Sequence, residues 1–417
     1  MGSGGYVALG NGNGTFRKPV LYPLPGGITK TYVALADLRN NRLTDLVFQD
    51  GDGSISVLLS LGKGRFEDGE WTAIEGGAGC GAAADFNRDG KPDLAVNTPT
   101  GVSILLGTGQ ALHPFKSGAT LTLPNAGCVV TGDLNGDGIP DLLVPSTGTV
   151  VAYLGNGDGT FTQKSTTATT TGGFLALGDF NHDGKLGFAT SGNLMALGSG
   201  DGTFQTPVPI LPPSELPYGG LTNLAAGDLN GDGWPDLVIT SSYDSYIYVL
   251  LNNQHGGFTE TKIDSVVNGY LTGPTQILLA DLNRDGKLDI VAATDSGLAV
   301  VYMGDGKGGF TYLEQLVPGS ASNTPSVIAV ADVNNDGIPD LVMTQANVGT
   351  VAIFLGKGNG TFQQPYYVGA GPFPGDILLE NLHGQAPTCG YPDIVVPDVT
   401  GGVMVLINLT ASTCPGS

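Results

Sequence analysis

Apolar residues along this chain come in short runs that are β-branched or alternate with polar positions, such as "PDLVIT" at 235–240, "GVSILLG" at 101–107 and "VVAYLG" at 150–155. Every run is bounded by Gly, Asn, Asp or Pro, and none sustains a 3.6-residue period over three turns. The pattern predicts strands joined by tight turns, with no helical stretch.

The runs recur in a fixed order. An apolar lead-in such as "LAAGDL" precedes an acidic loop, then a "PDLVIT"-like run, then a "GVSILLG"-like run, then a glycine-rich turn ending in Phe, as in "GNGDGTF" at 155–161 and "GKGNGTF" at 356–362. Aligned on the first acid of the loop, the units fall at Asp37, Asp85, Asp133, Asp179, Asp228, Asp281, Asp332 and a degenerate Asn381, spaced 48, 48, 46, 49, 53, 51 and 49 residues apart. A period near fifty belongs to propeller blades, and a four-stranded unit cannot bury its apolar faces without stacked neighbours. The expected fold is all-β: one closed β-propeller over 1–417, with units beginning near 33, 81, 129, 175, 224, 277, 328 and 376, and with residues 1–5 as a lead before a mature segment. Eight acidic-loop positions predict eight four-stranded blades. The third-strand pattern occurs nine times, from "YVALG" at 6–10 to "GVMVLIN" at 402–408, so seven blades plus an incomplete unit is the alternative. Closure is expected to bring the N-terminal segment beside the strands at 376–408.

Five loops share the pattern D-x-N-x-D-G-x-x-D. Their oxygen donors are Asp85, Asn87, Asp89 and Asp93; Asp133, Asn135, Asp137 and Asp141; Asp228, Asn230, Asp232 and Asp236; Asp281, Asn283, Asp285 and Asp289; and Asp332, Asn334, Asp336 and Asp340. Gly at position 6 permits the positive φ that wraps the chain. Position 7 can add a carbonyl: Lys91, Ile139, Trp234, Lys287 or Ile338. All-oxygen ligation by several carboxylates is Ca²⁺ chemistry, since Zn²⁺ calls for His or Cys and Mg²⁺ tolerates such crowding poorly. An EF-hand would need Glu at position 12, where these loops carry Val96, Val144, Ile239, Ala292 and Met343, so a β-hairpin loop is expected instead. Asp, Asn and Gly also make good turns. Turn chemistry alone does not place four oxygen donors at the same offsets five times.

Three units depart from the pattern. Gly187 takes position 9 after Asp179, Asn181 and Asp183, which predicts a weak or empty site. Arg39 and Arg42 replace an oxygen ligand and the turn glycine after Asp37, and Asn381 and His383 precede an insertion. Neither of these two is expected to bind metal. About five Ca²⁺ ions are therefore the expected cofactors.

"DLNGDGIPDLLV" followed by "VVAYLGNGDGTF" resembles the FG-GAP or VCBS repeat of integrin α-subunit heads and many bacterial surface proteins, over residues 5–408. The resemblance implies a recognition or adhesion scaffold, secreted or on a cell surface and bacterial in origin, that takes its ligand on the face opposite the acidic loops. Unusual aromatics in the more divergent segments are the candidates for that face: Tyr218, Tyr243, Tyr246, Tyr270, Tyr366, Tyr367 and Phe373. Exposed aromatics beside Asp and Asn suit a sugar or a protein, while edge packing would place the same residues there too.

Composition narrows the partners. Lys plus Arg number 17 against 38 Asp plus Glu, a net charge of −21, which excludes a basic nucleic-acid surface and favours divalent counter-ions. No apolar run is long enough for a membrane-spanning helix, and a monomer that binds a protein or glycan is expected. Identical acids repeated round a ring do not make one pocket with divergent pKa values, so the chain is expected to be noncatalytic. The rival is a carbohydrate-active enzyme or lectin on the same ring. The glycine-rich turns lack the Lys and Ser/Thr of a phosphate loop. Cys389 and Cys414 could form a disulfide, whereas Cys80 and Cys128 are expected to be buried thiols, with a cross-blade bridge as the alternative.

Overall fold

The computed structural model describes residues 81–380 except 99, 110–114, 170–174, 212–220, 222, 242–245, 256, 265, 268–269, 272, 319–326, 335, 346–347 and 370–376. Outside that span it describes Leu38 and strands within 4–73 and 393–407. Every element among the described residues is a strand or a turn. Seven antiparallel sheets of four strands follow the predicted units: blade 1 over 30–73, blade 2 over 81–122, blade 3 over 130–168, blade 4 over 175–209, blade 5 over 223–264, blade 6 over 274–316 and blade 7 over 328–369. A short hairpin, Val266–Val267 with Tyr270–Leu271, sits between blades 5 and 6.

Both ends of the chain build the eighth sheet. Leu378–Glu380, Asp393–Asp398 and Gly402–Ile407 are antiparallel, Gly4–Leu9 then lies parallel to Gly402–Ile407, and Val20–Pro23 completes five strands. This is the surplus strand implied by nine third-strand patterns. The chain thus has seven complete blades and a mixed closing sheet in the eighth place. No sheet closes on itself; the ring comes from neighbours. First strands succeed one another from Lys30–Ala36 to Leu378–Glu380, and Asp393–Asp398 returns against Lys30–Ala36.

Period-two alternation explains why the blades must stack. In blade 3, Leu142 and Val144 join a buried cluster with Phe86 and Ile104 of blade 2, while Leu143 between them joins one with Phe188 and Ala196 of blade 4. Blade 6 repeats this, with Ile290 and Ala292 packed towards blade 5 and Val291 and Ala293 towards blade 7. The second strands are consequently buried along their whole length in blades 3, 5, 6 and 7. One apolar cluster lies at each interface from blade 1 to the closing sheet. The core is therefore a series of inter-blade layers, each side chain of Leu or Ile size contributing about 1.5–3 kcal/mol on burial.

Candidate functional site

In an up-and-down sheet the turn from strand one to two and the turn from strand three to four emerge at the same end. Here that shared end carries the acidic loops. Asp133 shows how each loop is built: its Oδ1 accepts the Gly136 and Asp137 amides at 2.7 and 3.2 Å, and its Oδ2 accepts the Gly138 amide at 2.9 Å. Asn135 Oδ1 accepts the Asp137 amide at 3.0 Å, and Asp137 Oδ1 that of Ile139 at 2.8 Å. The loops headed by Asp85, Asp228, Asp281 and Asp332 repeat the bonds from the amides of positions 5, 6 and 7, and that of Asp228 also repeats the bond from position 4, through Gly231. The predicted turn glycine has positive φ each time, from 76° at Gly138 to 84° at Gly233. Residues 1, 3 and 5 thus fold around the loop's own amides. Arg88, His182 and Arg284 also adopt positive φ at position 4, where the alternate loops carry Gly136 and Gly231.

Position 9 does something the spacing did not reveal. Asp141 is fully buried; its Oδ2 accepts the Leu134 amide and its Oδ1 the Gly155 amide, both at 2.8 Å. One carboxylate therefore ties the acidic loop to the end of strand three. Asp93, Asp236, Asp289 and Asp340 make the same pair of bonds. Asp45 of blade 1 makes it too, to Leu38 and Ser60, in a unit whose Arg39 and Arg42 break the donor pattern. The clip is thus independent of a complete donor set.

Burial raises the pKa of Asp93, Asp141, Asp236 and Asp289, against the pull of the amides they accept. In Asp340 burial pushes it up to about 7. With the folded value above the unfolded one, its contribution to stability is fully present below about pH 4 and disappears as pH rises through about 7. In metal-free protein, wild type should therefore lose more stability between pH 5 and 8 than Asp340→Asn; equal pH slopes in denaturant titrations would contradict this.

The donor set fits a hard divalent cation in kind: two or three carboxylates, one amide oxygen and a backbone carbonyl, with no nitrogen or sulfur ligand. As placed, these oxygens face the loop amides, and among the described residues no three Asp, Glu, His or Cys side chains are gathered around one point. In the blade 4 loop, Asn181 Oδ1 is buried with no hydrogen-bond partner, an acceptor at position 3 left for a donor or a cation. Gly187 there explains itself: a Cβ would lie 2.5 Å from the Ala196 carbonyl oxygen. Gly187→Asp should consequently fail to complete the loop and lower stability by about 1–3 kcal/mol through overpacking. A calorimetric melt reads this directly, and an unchanged or higher Tm would refute it.

The glycine-rich turns bind the blades together at this end. Gly159, Gly202 and Gly308 donate their amides to the position-2 carbonyls of the preceding blade, Phe86, Leu134 and Leu229, at 3.1, 3.3 and 3.3 Å. Blade 5 lacks the regular turn, and Asn252 Nδ2 reaches the Phe180 carbonyl at 2.8 Å instead. Phe161 packs edge-on against Phe86 of blade 2, and Phe258 against Phe180 of blade 4.

Among the aromatic candidates, Tyr246 begins the third strand of blade 5 at the end opposite the acidic loops, edge-on to Tyr248. Tyr366 and Tyr367 lie on the outer strand of blade 7, at the rim; Tyr366 is half-buried with its hydroxyl unpartnered, and Tyr367 is exposed. Tyr218, Tyr243, Phe373, Cys80, Cys389 and Cys414 lie outside the described residues, as does the side chain of Tyr270. Cys128 is disulfide-bonded and half-buried, which corrects the expected thiol. The sequence offered a bonded Cys128 only as the alternative, because spacing does not distinguish a bonded cysteine from a buried one.

A family model described as an FG-GAP-like repeat matches seven overlapping segments, 37–96, 85–144, 133–190, 187–239, 228–292, 281–343 and 332–379. The chain belongs to the FG-GAP-like repeat family. Five of the seven matched segments run from the first acid of one loop through the next loop into the second strand behind it, while 187–239 begins at a second strand and 332–379 ends in Leu378–Glu380 of the closing sheet. Human integrin alpha-7 is 28% identical over 138 residues, 29% of this chain and 12% of the integrin, so the likeness covers a small part of that protein. Among solved structures, Saccharomyces cerevisiae Sqt1 superposes with a TM-score of 0.68 at 12% identity, over 98% of this chain and 100% of that one. The BP39L lectin from Burkholderia pseudomallei gives 0.56 at 13% identity, over 82% and 99%. At such identities these two likenesses speak for the fold of the FG-GAP-like propeller alone.

Proposed function

We propose that this propeller is a calcium-stabilised, noncatalytic recognition scaffold that works outside the cell and binds a protein or glycan on the face opposite its acidic loops. The observation that carries this is equivalence: five loops with one donor set and one pattern of hydrogen bonds, so that no single loop is set apart as a reaction centre. Ca²⁺ would be held by positions 1, 3 and 5 and the carbonyl of position 7, drawing the position-9 carboxylate in as the fourth side chain. It would supply charge neutralisation in a chain of net charge −21.

Extracellular placement draws support from the integrin relative, and a glycan ligand from the lectin that shares the fold. The segments from strand four to the next strand one run from 6 to 13 residues and differ in sequence among the units, which suits ligand discrimination on a constant frame. A glycan array and a panel of extracellular proteins, probed with the calcium-loaded chain, should give selective, saturable binding without turnover. Hydrolysis or elimination products from a polysaccharide panel would overturn the noncatalytic reading.

A further inference from the structure

The glycine-rich turn of blade 7 differs from its counterparts by one residue. Blades 3 and 4 place Asp158 and Asp201 before the last glycine of the turn. Each Oδ1 accepts the amide and hydroxyl of the Thr two places on, Thr160 at 2.9 and 2.6 Å and Thr203 at 3.0 and 2.6 Å. Blade 7 carries an exposed Asn359 there, followed by Gly360, and Thr361 donates its amide at 3.1 Å and its hydroxyl at 2.7 Å to Asn359 Oδ1. An Asn followed by Gly can react with its own backbone, because the glycine nitrogen lies next to the side-chain carbonyl carbon and no Cβ crowds its approach.

Four such pairs fall among the described residues, at Asn135, Asn156, Asn230 and Asn359. Asn135 and Asn230 set their side chains as Asn359 does, each Oδ1 accepting the amide two places on, at 3.0 and 2.9 Å. Their attacking nitrogens are occupied: the Gly136 and Gly231 amides donate to Asp133 Oδ1 and Asp228 Oδ1, both at 2.7 Å. A carboxylate that accepts this proton opposes its removal, by the hydrogen bond and by repulsion of the anion left behind. Asn156 is tied across its turn, Nδ2 donating to Thr160 Oγ1 at 2.9 Å and Oδ1 accepting the Thr162 hydroxyl at 3.1 Å. Gly360 carries no such restraint. Its counterparts Gly159, Gly202 and Gly308 donate to the preceding blade, whereas among the described residues the Gly360 amide has no acceptor. The two donors on Asn359 Oδ1 stand where negative charge gathers as Cγ is attacked.

We propose that Asn359 is a self-modification site, where the folded chain converts this amide to Asp or isoaspartate ahead of its other described Asn-Gly pairs. The Gly360 nitrogen gives its proton to hydroxide and attacks Asn359 Cγ. The new N–Cγ bond closes a succinimide as the Cγ–Nδ2 bond breaks, and Nδ2 leaves as ammonia with a proton from water. Water then adds to one ring carbonyl: at Cγ it returns Asp, and at the main-chain carbon it leaves isoaspartate. The net change is one water taken up and one ammonia released. Asp at 359 reproduces the turns of blades 3 and 4. Isoaspartate adds a methylene to the main chain beside Gly360, where a Cβ would lie 2.5 Å from Met303 Sδ of blade 6, and so loosens the contact between blades 6 and 7. None of this depends on the calcium reading.

The full chain is aged in warm, mildly alkaline buffer containing EDTA, and the four pairs are followed by peptide mapping, with isoaspartate read by enzymatic methyl transfer. A carboxylate that raises the pKa of the attacking amide by about one unit slows the reaction about tenfold. Asn359 should therefore convert at least about ten times faster than Asn135 and Asn230, and ahead of Asn156. In denaturant the four rates should converge. Asp133→Ala, which frees the Gly136 amide, should bring Asn135 up towards Asn359, and Thr361→Val should slow Asn359 alone. Asn135 or Asn230 converting as fast as Asn359 in the folded wild type would overturn the proposal. So would an Asn359 that stays intact in the folded chain while the denatured chain converts. Both of these readings come from the wild type and hold whether or not a variant folds.

Discussion

Stripping divalent cations from the protein is expected to lower its melting temperature by on the order of 10 °C, and adding Ca²⁺ back should restore it. A ligand at 100 times its Kd stabilises the folded state by about 2.7 kcal/mol per site. Several sites on one ring together contribute on the order of 10 kcal/mol before coupling between neighbours is counted. Part of the effect is relief of repulsion. The position-9 pKa values are raised by burial and, to a lesser degree, by the charge of the position-5 Asp, joined in blades 3, 5, 6 and 7 by the position-1 Asp. High salt without calcium should recover only a fraction of the loss, because screening acts weakly on buried charge.

The second large effect belongs to the position-9 clip, and it should appear with no metal present. Asp141→Ala leaves the buried amides of Leu134 and Gly155 without acceptors, at about 1–3 kcal/mol each. The expected loss is roughly 2–5 kcal/mol in EDTA, read from denaturant titration. Asp45→Ala is the informative partner. Its two bonds to Leu38 and Ser60 match those of Asp141, but Arg39 and Arg42 spoil the donor set of its loop. Equal losses for the two variants in EDTA would mark the clip as a hydrogen-bonding device in its own right. A loss for Asp141→Ala confined to calcium-containing buffer, with Asp45→Ala neutral, would assign position 9 wholly to the cation.

Much of this was legible in the sequence because local chemistry determined it. The fifty-residue period set the blades, alternation set the two faces of each second strand, and glycine at position 6 matched a φ that other residues adopt at a cost. The five complete acidic loops do share one hydrogen-bonding pattern. The rest hid in distance along the chain. Asp93 accepts the Gly107 amide fourteen residues on, and Arg88 meets the Asp137 carbonyl forty-nine residues on, so neither contact leaves a local pattern. Position 9 was ambiguous in principle, since an Asp at that offset serves a cation and a strand end equally well. Nine third-strand patterns implied a surplus strand, but its parallel pairing, Gly4–Leu9 with Gly402–Ile407, depends on how two chain ends meet. Tyr366 and Tyr367 looked alike in sequence as ligand candidates; the fold puts both on an outer strand and separates a half-buried residue from an exposed one.

Counting bound calcium tests the central claim most directly. The chain is dialysed against Ca²⁺ after exhaustive chelation, and its metal content is measured by atomic emission alongside a variant carrying Asn for Asp at positions 1 and 5 of blades 3, 5 and 7. The account predicts about five ions per chain in the wild type and about two in the variant, from the donor sets of the intact loops. A wild type that holds no calcium at millimolar concentration, or a variant that holds as much as the wild type, would contradict it.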